Sequence, residues 1–578
     1  MKIRQREPRA EDQLPADTHP VLRRVLLGRG VGTAQQLDLG LANLLPPAFS
    51  QFDQAAAALA QAVRMQRRIV VVGDFDADGA TASALSLRAL QAMGARNIGY
   101  CVPNRFAFGY GLTAPLVDTM LAEQIAACGD LLLTVDNGIS SIDGVAHANA
   151  LGLETIVTDH HLPGEILPQA LAIVNPNLPG ERFPSKTLAG VGVVFYLLSG
   201  VRRQLQDSNW FGTARPLPRL ADWLDLVALG TVADMVPLDA NNRILVQQGL
   251  LRIRADRACA GIKALLRAGG VNHRLCTAQD LAWRVAPRLN AAGRLKDMSV
   301  GIECLLCDEL EQADDLAMLL DGINQQRREL QQQMQEEADA QVDQLLQQLA
   351  PREQLPPALC LYDQRWHQGI VGLVAGRIKE RMRRPVLALA PADPEDDSDQ
   401  ASLKGSARSV NGIHIRDHLA LLDARHPGLM TGFGGHAMAA GLSMPARHLG
   451  AFQQAWAELA AGLALRDEVI YTDGELQPDE LSQELAMLLE SAMPWGQAFP
   501  EPLFQGCFRV CDRQLLKGAH VRLQLQPIGS RQTLAAIAFN RDIEQFPADA
   551  MVTIGYRLGV NRFRGETSVQ LLIEHVLI

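Results

Sequence analysis

The sequence predicts an α/β protein: a parallel-sheet domain joined by a long helix to a smaller α/β domain, with a β-rich block at the C-terminus. Three observations carry that expectation. Over the first third, short runs of apolar or β-branched residues alternate with Ala- and Leu-rich stretches. A proline-free stretch rich in Gln, Glu, Leu and Ala follows from Glu309 to Ala350. Past residue 465 the chain returns to short β-like runs. At 578 residues it is too long for one core, so several domains are expected.

In the first block, Arg68–Gly73, Leu131–Val135 and Thr155–Thr158 have the continuously apolar or β-branched character of strands buried on both faces. Ala80–Met93 and Ile142–Leu151 lie between them and read as helices, and that order predicts βαβ units. In the next block Gly322 is the single glycine, and Leu316, Leu320, Ile323, Met334, Ala338, Val342, Leu345 and Leu349 recur at helical spacing. A long amphipathic connecting helix follows, ended by Pro351–Pro356. The second α/β block has strand candidates at Ala358–Tyr362 and Val386–Ala390. Val521–Leu525, Leu534–Phe539, Met551–Tyr556 and Ser568–Ile578 predict a small barrel or sandwich. The expected divisions are an N-terminal segment 1–50, a sheet domain 51–305, a connecting helix 306–350, a second α/β domain 351–464 and a β-rich domain 465–578.

Composition narrows the function classes. Hydrophobic residues at 48% and charged residues at 20% describe a folded globular chain. No run of 18 apolar residues is present, the N-terminus is charged, and the nine cysteines are sparse and odd in number. A cytoplasmic location with no membrane span is the expectation. A net charge of −10 speaks against indiscriminate binding to polyanions. Charge is uneven, however: Arg377, Lys379, Arg381, Arg383 and Arg384 cluster, while Pro391–Gln400 is acidic.

The chemistry-bearing pattern is a set of acids at strand ends. Arg68–Gly73 runs into Asp74-Phe75-Asp76-Ala77-Asp78-Gly79, Leu131–Val135 into Asp136-Asn137-Gly138, and Thr155–Thr158 into Asp159-His160-His161. Ligands of open α/β sheets gather at the carboxyl ends of the strands. A later apolar stretch, Leu226–Val232, leads into Asp234. Carboxylates with imidazole and no thiolate suit Mn²⁺ or Mg²⁺, and a pair of such ions suits phosphoester hydrolysis. Neither GxxxxGK[ST] nor HExxH occurs, and Cys304-x-x-Cys307 has no second pair to complete a zinc site.

These four segments resemble, in order and spread, the successive motifs of the DHH phosphoesterase superfamily. Val102-Pro-Asn-Arg105 with Gly109-Tyr-Gly-Leu112, Ala286–Arg294, Trp366–Gly372, Ser406–Ser409 and Gly434–Gly441 are similar to segments of the RecJ single-stranded-DNA exonucleases. The resemblance implies a DHH domain, a DHHA1 domain and a C-terminal OB-fold-like domain that binds nucleic acid. It implies metal ligands at Asp76, Asp78, Asp136, His160 and Asp234, with Asp136 between two ions and Asp74 as a further ligand or, alternatively, an acid that orients one. His161 would touch the reacting phosphate, and Asp159 would support the histidine pair.

Arg105, Tyr110, Arg288, Asn290, Arg294, Ser406, Arg408, Gly434, Gly435 and His436 are the expected nucleic-acid or phosphate contacts, with Arg288 and Arg294 alternatively holding domains together. Glycines let backbone N–H groups approach a phosphate, and Arg and Ser side chains donate to it. The activity the resemblance implies is a 5′→3′ single-stranded-DNA exonuclease releasing 5′-mononucleotides in recombination and mismatch repair. A helicase and a single-strand-binding protein are the implied associates, and a monomer is expected. Two alternatives stand beside it: a DHH hydrolase of oligonucleotides or cyclic dinucleotides, and a non-catalytic single-strand-binding scaffold.

Overall fold

The apolar runs form strands in a computed structural model that describes residues 2–105, 107–348, 356–394, 396, 398, 401–463, 469–516, 520–563 and 565–577. Leu349, the Pro351–Pro356 segment up to its last residue, part of the acidic Pro391–Gln400 run, the expected 464/465 boundary and Ile578 lie outside the described residues, as does the side chain of Leu345. The chain forms two compact units. One comprises Ile3–Asp321 with Ile470–Ile578, the other Gly322–Val469 with Met1–Lys2.

After an N-terminal strand, β1 (Lys2–Gln5), the first unit builds a five-stranded parallel sheet. Its strands are β2 (Ile69–Gly73), β3 (Ile98–Cys101), β4 (Leu131–Val135), β5 (Glu154–Thr158) and β6 (Ala172–Val174), in the order β3-β2-β4-β5-β6. Every residue of β2 and β4 is buried, which is why their sequences are apolar without alternation. β3 and β6 were not expected from sequence; at four and three residues they carry too little pattern to read. Helices Ala77–Ala92, Gly190–Asp207 and Leu224–Ala233 bury most of their residues against this sheet and one another. The site residues sit at helix ends: Asp76 caps the first of these helices, and Asp234 closes the third.

The expected connecting helix is observed as Leu310–Gln348, 39 residues, with its first part in this unit and the rest from Gly322 in the other. In that second unit, β7 (Leu359–Tyr362), β8 (Val386–Pro391), β9 (Ser402–Arg408), β10 (Gly432–Gly435) and β11 (Ala439–Pro445) form a sheet in the order β10-β11-β9-β8-β7. Trp366, fully buried, donates its indole N–H to Glu337 of the long helix at 3.0 Å.

β12 (Val469–Thr472) pairs with β1 and leads into a closed barrel. The barrel consists of β13 (Phe504–Leu516), β14 (His520–Pro527), β15 (Leu534–Ala538), β16 (Met551–Phe563) and β17 (Glu566–Leu577), ordered β13-β14-β15-β17-β16. β15 and β17 close it in parallel; the other pairs are antiparallel.

The barrel shares one continuous core with the sheet domain rather than standing apart. Arg29 is the tie: both its terminal nitrogens reach the Asp473 carboxylate at 2.7 and 2.9 Å, its Nε donates to Pro500 O at 2.8 Å, and it lies over the Trp495 ring. Both partners are 1% exposed. Nothing in the local sequence around Arg29 announces a partner 444 positions away. Among the described residues, no helix is long and apolar enough to cross a membrane.

Candidate metal centre

The carboxyl ends of β2, β4 and β5 lie side by side, so the acids that follow them converge. Asp74 leaves β2 buried. Asp76 caps the following helix, accepting from Asp78 N at 2.9 Å and Gly79 N at 3.0 Å. Asp78, in the first turn, is buried and accepts from the Gly190 and Val191 N–H groups at 2.6 and 3.0 Å. Asp136 follows β4 at φ +62°, a left-handed conformation that a non-glycine residue holds only when its surroundings impose it. Here its N–H donates to Thr158 O at 3.1 Å, and its carbonyl accepts from the Tyr110 hydroxyl at 3.2 Å.

His160 Nε2 lies 3.1 Å from Asp136 Oδ1 and 3.5 Å from Asp234 Oδ2. The His161 ring is fixed through Nδ1, 2.7 Å from Asp159 Oδ1, while Tyr110 OH lies 3.1 Å from the same nitrogen. Asp159 is fully buried and also accepts from the Ile139, His160 and His161 N–H groups. It therefore braces the histidine loop. Asn175 and Asn177 donate to the His161 and His160 carbonyls and hold the loop from its other side.

Ligand atoms fall into overlapping triads: Asp74, Asp76 and Asp136; Asp78, His160 and Asp234; and Asp136, His160 and His161. Within each triad the atoms lie within 4.8 Å of one another. The first two triads have no member in common, and Asp136 and His160 link them.

Burial, followed by the charges of neighbouring carboxylates, pushes Asp74, Asp136 and Asp234 well above the usual carboxylate range and Asp78 up to about 7. Burial alone would lower His161, but Asp159 and the other acids more than offset it and raise the imidazole to about 9. Burial raises Asp159 as well, yet its bonds to the histidines hold it below the ordinary value. Among the described residues, the buried Oδ1 atoms of Asp74 and Asp136 accept no hydrogen bond. Carboxylates packed this closely must be protonated or neutralised by cations. Hard oxygen donors with imidazole fit Mn²⁺ or Mg²⁺. The residues present therefore suit such a group.

The expected nucleic-acid contacts divide by position. Arg105 is packed over the Phe75 ring at 4.8 Å, Asp74 and Asp76 act on its charge, and burial lowers its pKa. Tyr110 bridges Asp136 and His161 as described. Asn290 faces inward: its Oδ1 accepts from Ala77 N at 2.8 Å, in the first turn of the helix that carries Asp78. Arg288 is also turned inward, pairing with Asp321 at 2.8 Å and donating to Ala268 O at 3.0 Å. Arg294 lies near the end of helix Ala286–Leu295.

In the second unit, register sets Ser406, Gly441 and Gly434 in a row across β9, β11 and β10. The Arg408 guanidinium donates to Ser406 Oγ at 2.7 Å. A Cβ at Gly372, the second residue of helix Val371–Met382, would meet that guanidinium at 2.6 Å. Gly435 ends β10 at φ +136°, and His436 N donates to Ala439 O at 2.7 Å.

Sequence reasoning did not single out the glycines that make room for the centre. A Cβ at Gly190 would lie 2.5 Å from Asp136 Cβ, and one at Gly230 would lie 2.7 Å from Asp78 Oδ1. A Cβ at Gly293 would lie 1.7 Å from Phe75 O. For Gly190 the available signal was the small residues at a helix start, Ala189-Gly190-Val191-Gly192; Gly230 and Gly293 lie towards the ends of their helices.

Comparison with known proteins agrees with this geometry. Residues 68–231 match the DHH family, N-terminal domain; 356–462 match the DHHA1 domain; 472–575 match the RecJ OB domain. The chain is 48% identical to the single-stranded-DNA-specific exonuclease RecJ of Escherichia coli (strain K12), over 100% of this chain and 99% of that protein. It is 35% identical to the RecJ of Thermus thermophilus, over 86% of this chain and 68% of that one. Among solved structures, RecJ in complex with Mn²⁺ from Thermus thermophilus matches with a TM-score of 0.77 and 30% identity, over 99% of this chain and 79% of that chain. The Mg²⁺ complex from the same source matches at a TM-score of 0.72 and 28% identity, over 99% and 78%.

Proposed function

This chain belongs to the RecJ family of single-stranded-DNA-specific exonucleases, and we propose from that premise that it hydrolyses single-stranded DNA from an end, with Mn²⁺ or Mg²⁺ as cofactor. The observation that carries the proposal is the convergence of five carboxylates and His160 in two triads, Asp74/Asp76/Asp136 and Asp78/His160/Asp234. Each triad would hold one ion, with Asp136 reaching towards both. Bound divalent ions supply charge neutralisation at the phosphate and an activated water.

The chain's own residues do the rest. Asp159 fixes the His161 ring through Nδ1, so that Nε2 is offered to a phosphate oxygen. Tyr110 holds the Asp136 carbonyl and borders the same histidine. Ser406, Arg408, Gly434, Gly435 and His436 are proposed to hold backbone phosphates, as are Arg105 and Arg294.

Digestion 5′→3′, release of 5′-mononucleotides, and work in recombination and mismatch repair beside a helicase and a single-strand-binding protein rest on the family resemblance. The cytoplasmic location is proposed from the sparse, odd-numbered cysteines, and the monomeric state from the several domains of the one chain. A hydrolase of short oligonucleotides would use the same centre, but the RecJ OB match over residues 472–575 favours a polymer substrate.

The test is digestion of single-stranded DNA labelled at either end with Mn²⁺ present, beside a matched duplex and the Asp136→Ala variant. Mononucleotides released first from the 5′ end, and lost with chelator or in the variant, support the proposal. Intact long strands with cleaved dinucleotides transfer it to the small-substrate hydrolase. Binding without cleavage transfers it to the scaffold.

A further inference from the structure

Asn137 lies directly after Asp136 and is fully buried. Its side-chain amide donates twice: to Val72 O at 3.0 Å and to Val135 O at 2.9 Å. Val135 is the last residue of β4, and Val72 the penultimate residue of β2. The two carbonyls therefore belong to the strand ends from which Asp136 and Asp74 emerge. The strands already pair in register from Ile69↔Leu131 to Gly73↔Val135, so the amide adds a cross-brace where the ladder stops. It does so beside a residue at φ +62°, a conformation that costs on the order of 1–3 kcal/mol and persists only where its surroundings offset that cost.

We propose that Asn137 is a positioning residue for the metal centre, holding the Asp74/Asp76 loop and Asp136 at the spacing that lets them share one cation. The inference rests on the two-ion reading of the site. Only the Asp74/Asp76/Asp136 triad draws its ligands from both braced strand ends. The Asp78/His160/Asp234 triad takes its ligands from helix Ala77–Ala92, the loop after β5 and the end of helix Leu224–Ala233. The brace therefore acts most directly on the ion of the first triad, and reaches the other only through Asp136. General loosening of the fold would weaken both.

Asn137→Ala keeps the chain length and removes both donors. Asn137→Asp keeps the shape, removes the donors and sets carboxylate oxygens against two carbonyls, so it serves as the second variant. Removing a group that orients a metal ligand typically lowers affinity about 10- to 100-fold.

The experiment is Mn²⁺ titration of the full chain by electron paramagnetic resonance, with calorimetry in parallel and a thermal melt in chelator as the folding control. The wild-type protein is expected to take two Mn²⁺. In both variants one of the two affinities should fall at least about tenfold and the other, which depends on the brace only through Asp136, clearly less. Two unchanged affinities overturn the proposal, as does an equal fall in both. A wild-type chain that takes fewer than two ions overturns the two-ion reading itself, and the proposal with it. The first two outcomes compare variant with wild type and the last concerns wild type alone, so the two failures are distinguishable.

Discussion

Replacing Gly190 with alanine tests whether the centre tolerates displacement of a ligand. The added Cβ would lie 2.5 Å from Asp136 Cβ and 2.7 Å from both Asp136 Cα and Oδ1. Ordinary contact begins near 3.4 Å, so Asp136 or the helix start must shift by about 0.9 Å. Metal–oxygen distances tolerate only about 0.2 Å of error. A misplacement of about 1 Å costs roughly 100-fold in rate, equivalent to about 2.7 kcal/mol of barrier. Gly190→Ala should therefore lower single-strand hydrolysis about 100-fold at saturating Mn²⁺.

Gly192→Ala is the matched control. It lies in the same helix, and its Cβ would meet only the flexible Leu188 side chain, at 3.1 Å. Both substitutions remove a helical glycine, which on its own stabilises by about 1 kcal/mol. Hydrolysis is measured as acid-soluble nucleotide released from a long single strand, with circular dichroism confirming the fold. Equal activity in the two variants would refute the reasoning.

Three further outcomes follow from the same geometry. Asp78 titrates at about 7 in the folded chain against about 3.9 when unfolded, so the folded state holds its proton more tightly. That contribution favours the metal-free fold below about pH 4 and is lost as pH rises through about 7. Asp74, Asp136 and Asp234 shift in the same direction, so Mn²⁺ should raise the melting temperature more at about pH 8 than at about pH 5; equal rises would refute this. Arg29→Met leaves the buried Asp473 carboxylate with only the Arg6 guanidinium, at 3.8 Å, and the Leu503 N–H, at a cost of about 3 kcal/mol. Adding Asp473→Leu should recover most of that loss in denaturant melts, and a double variant no more stable than the single would count against a paired-charge origin. Asn290→Ala removes the acceptor for Ala77 N and should cost about 1 kcal/mol. It should also leave the affinity for a single strand at fixed salt unchanged; weaker binding would support the phosphate-contact role expected from sequence.

Much of the site was legible because three buried parallel strands in one block each end in an acid, where a single such ending occurs by chance. β2, β4 and β5 were recognisable from their continuous apolar or β-branched character, and the residues after each supply the centre. Asp234 was harder to read, since its apolar stretch is a helix and gives no strand-end signal. Asn290 and Arg288 illustrate what a motif conceals. Both lie in a segment resembling RecJ, yet Asn290 faces a backbone N–H and Arg288 an aspartate of the long helix. Polar side chains in a motif can serve the fold or the ligand, and residue type does not distinguish the two. β10 was missed because GFGG carries almost no apolar pattern, and β9 and β11 because their buried positions alternate with Gly, Ser and Lys rather than forming a continuous apolar run. The attachment of the barrel to the sheet domain was missed because it rests on contacts distant in sequence.

The Arg29–Asp473 tie also bears on the order in which the protein can be completed during synthesis. Arg29 leaves the ribosome early, and its partner follows 444 residues later. At about 5–20 residues per second, the guanidinium waits roughly 20–90 s for its carboxylate. Once Asp234 has followed, the sheet domain can form its strands and gather its acids, but Arg29 still lacks the carboxylate it closes against. The nascent chain thus passes through a long-lived state in which the metal-binding end is assembled while the surface that will receive the barrel stays open to chaperones. A chain truncated before residue 473 would be held in that state.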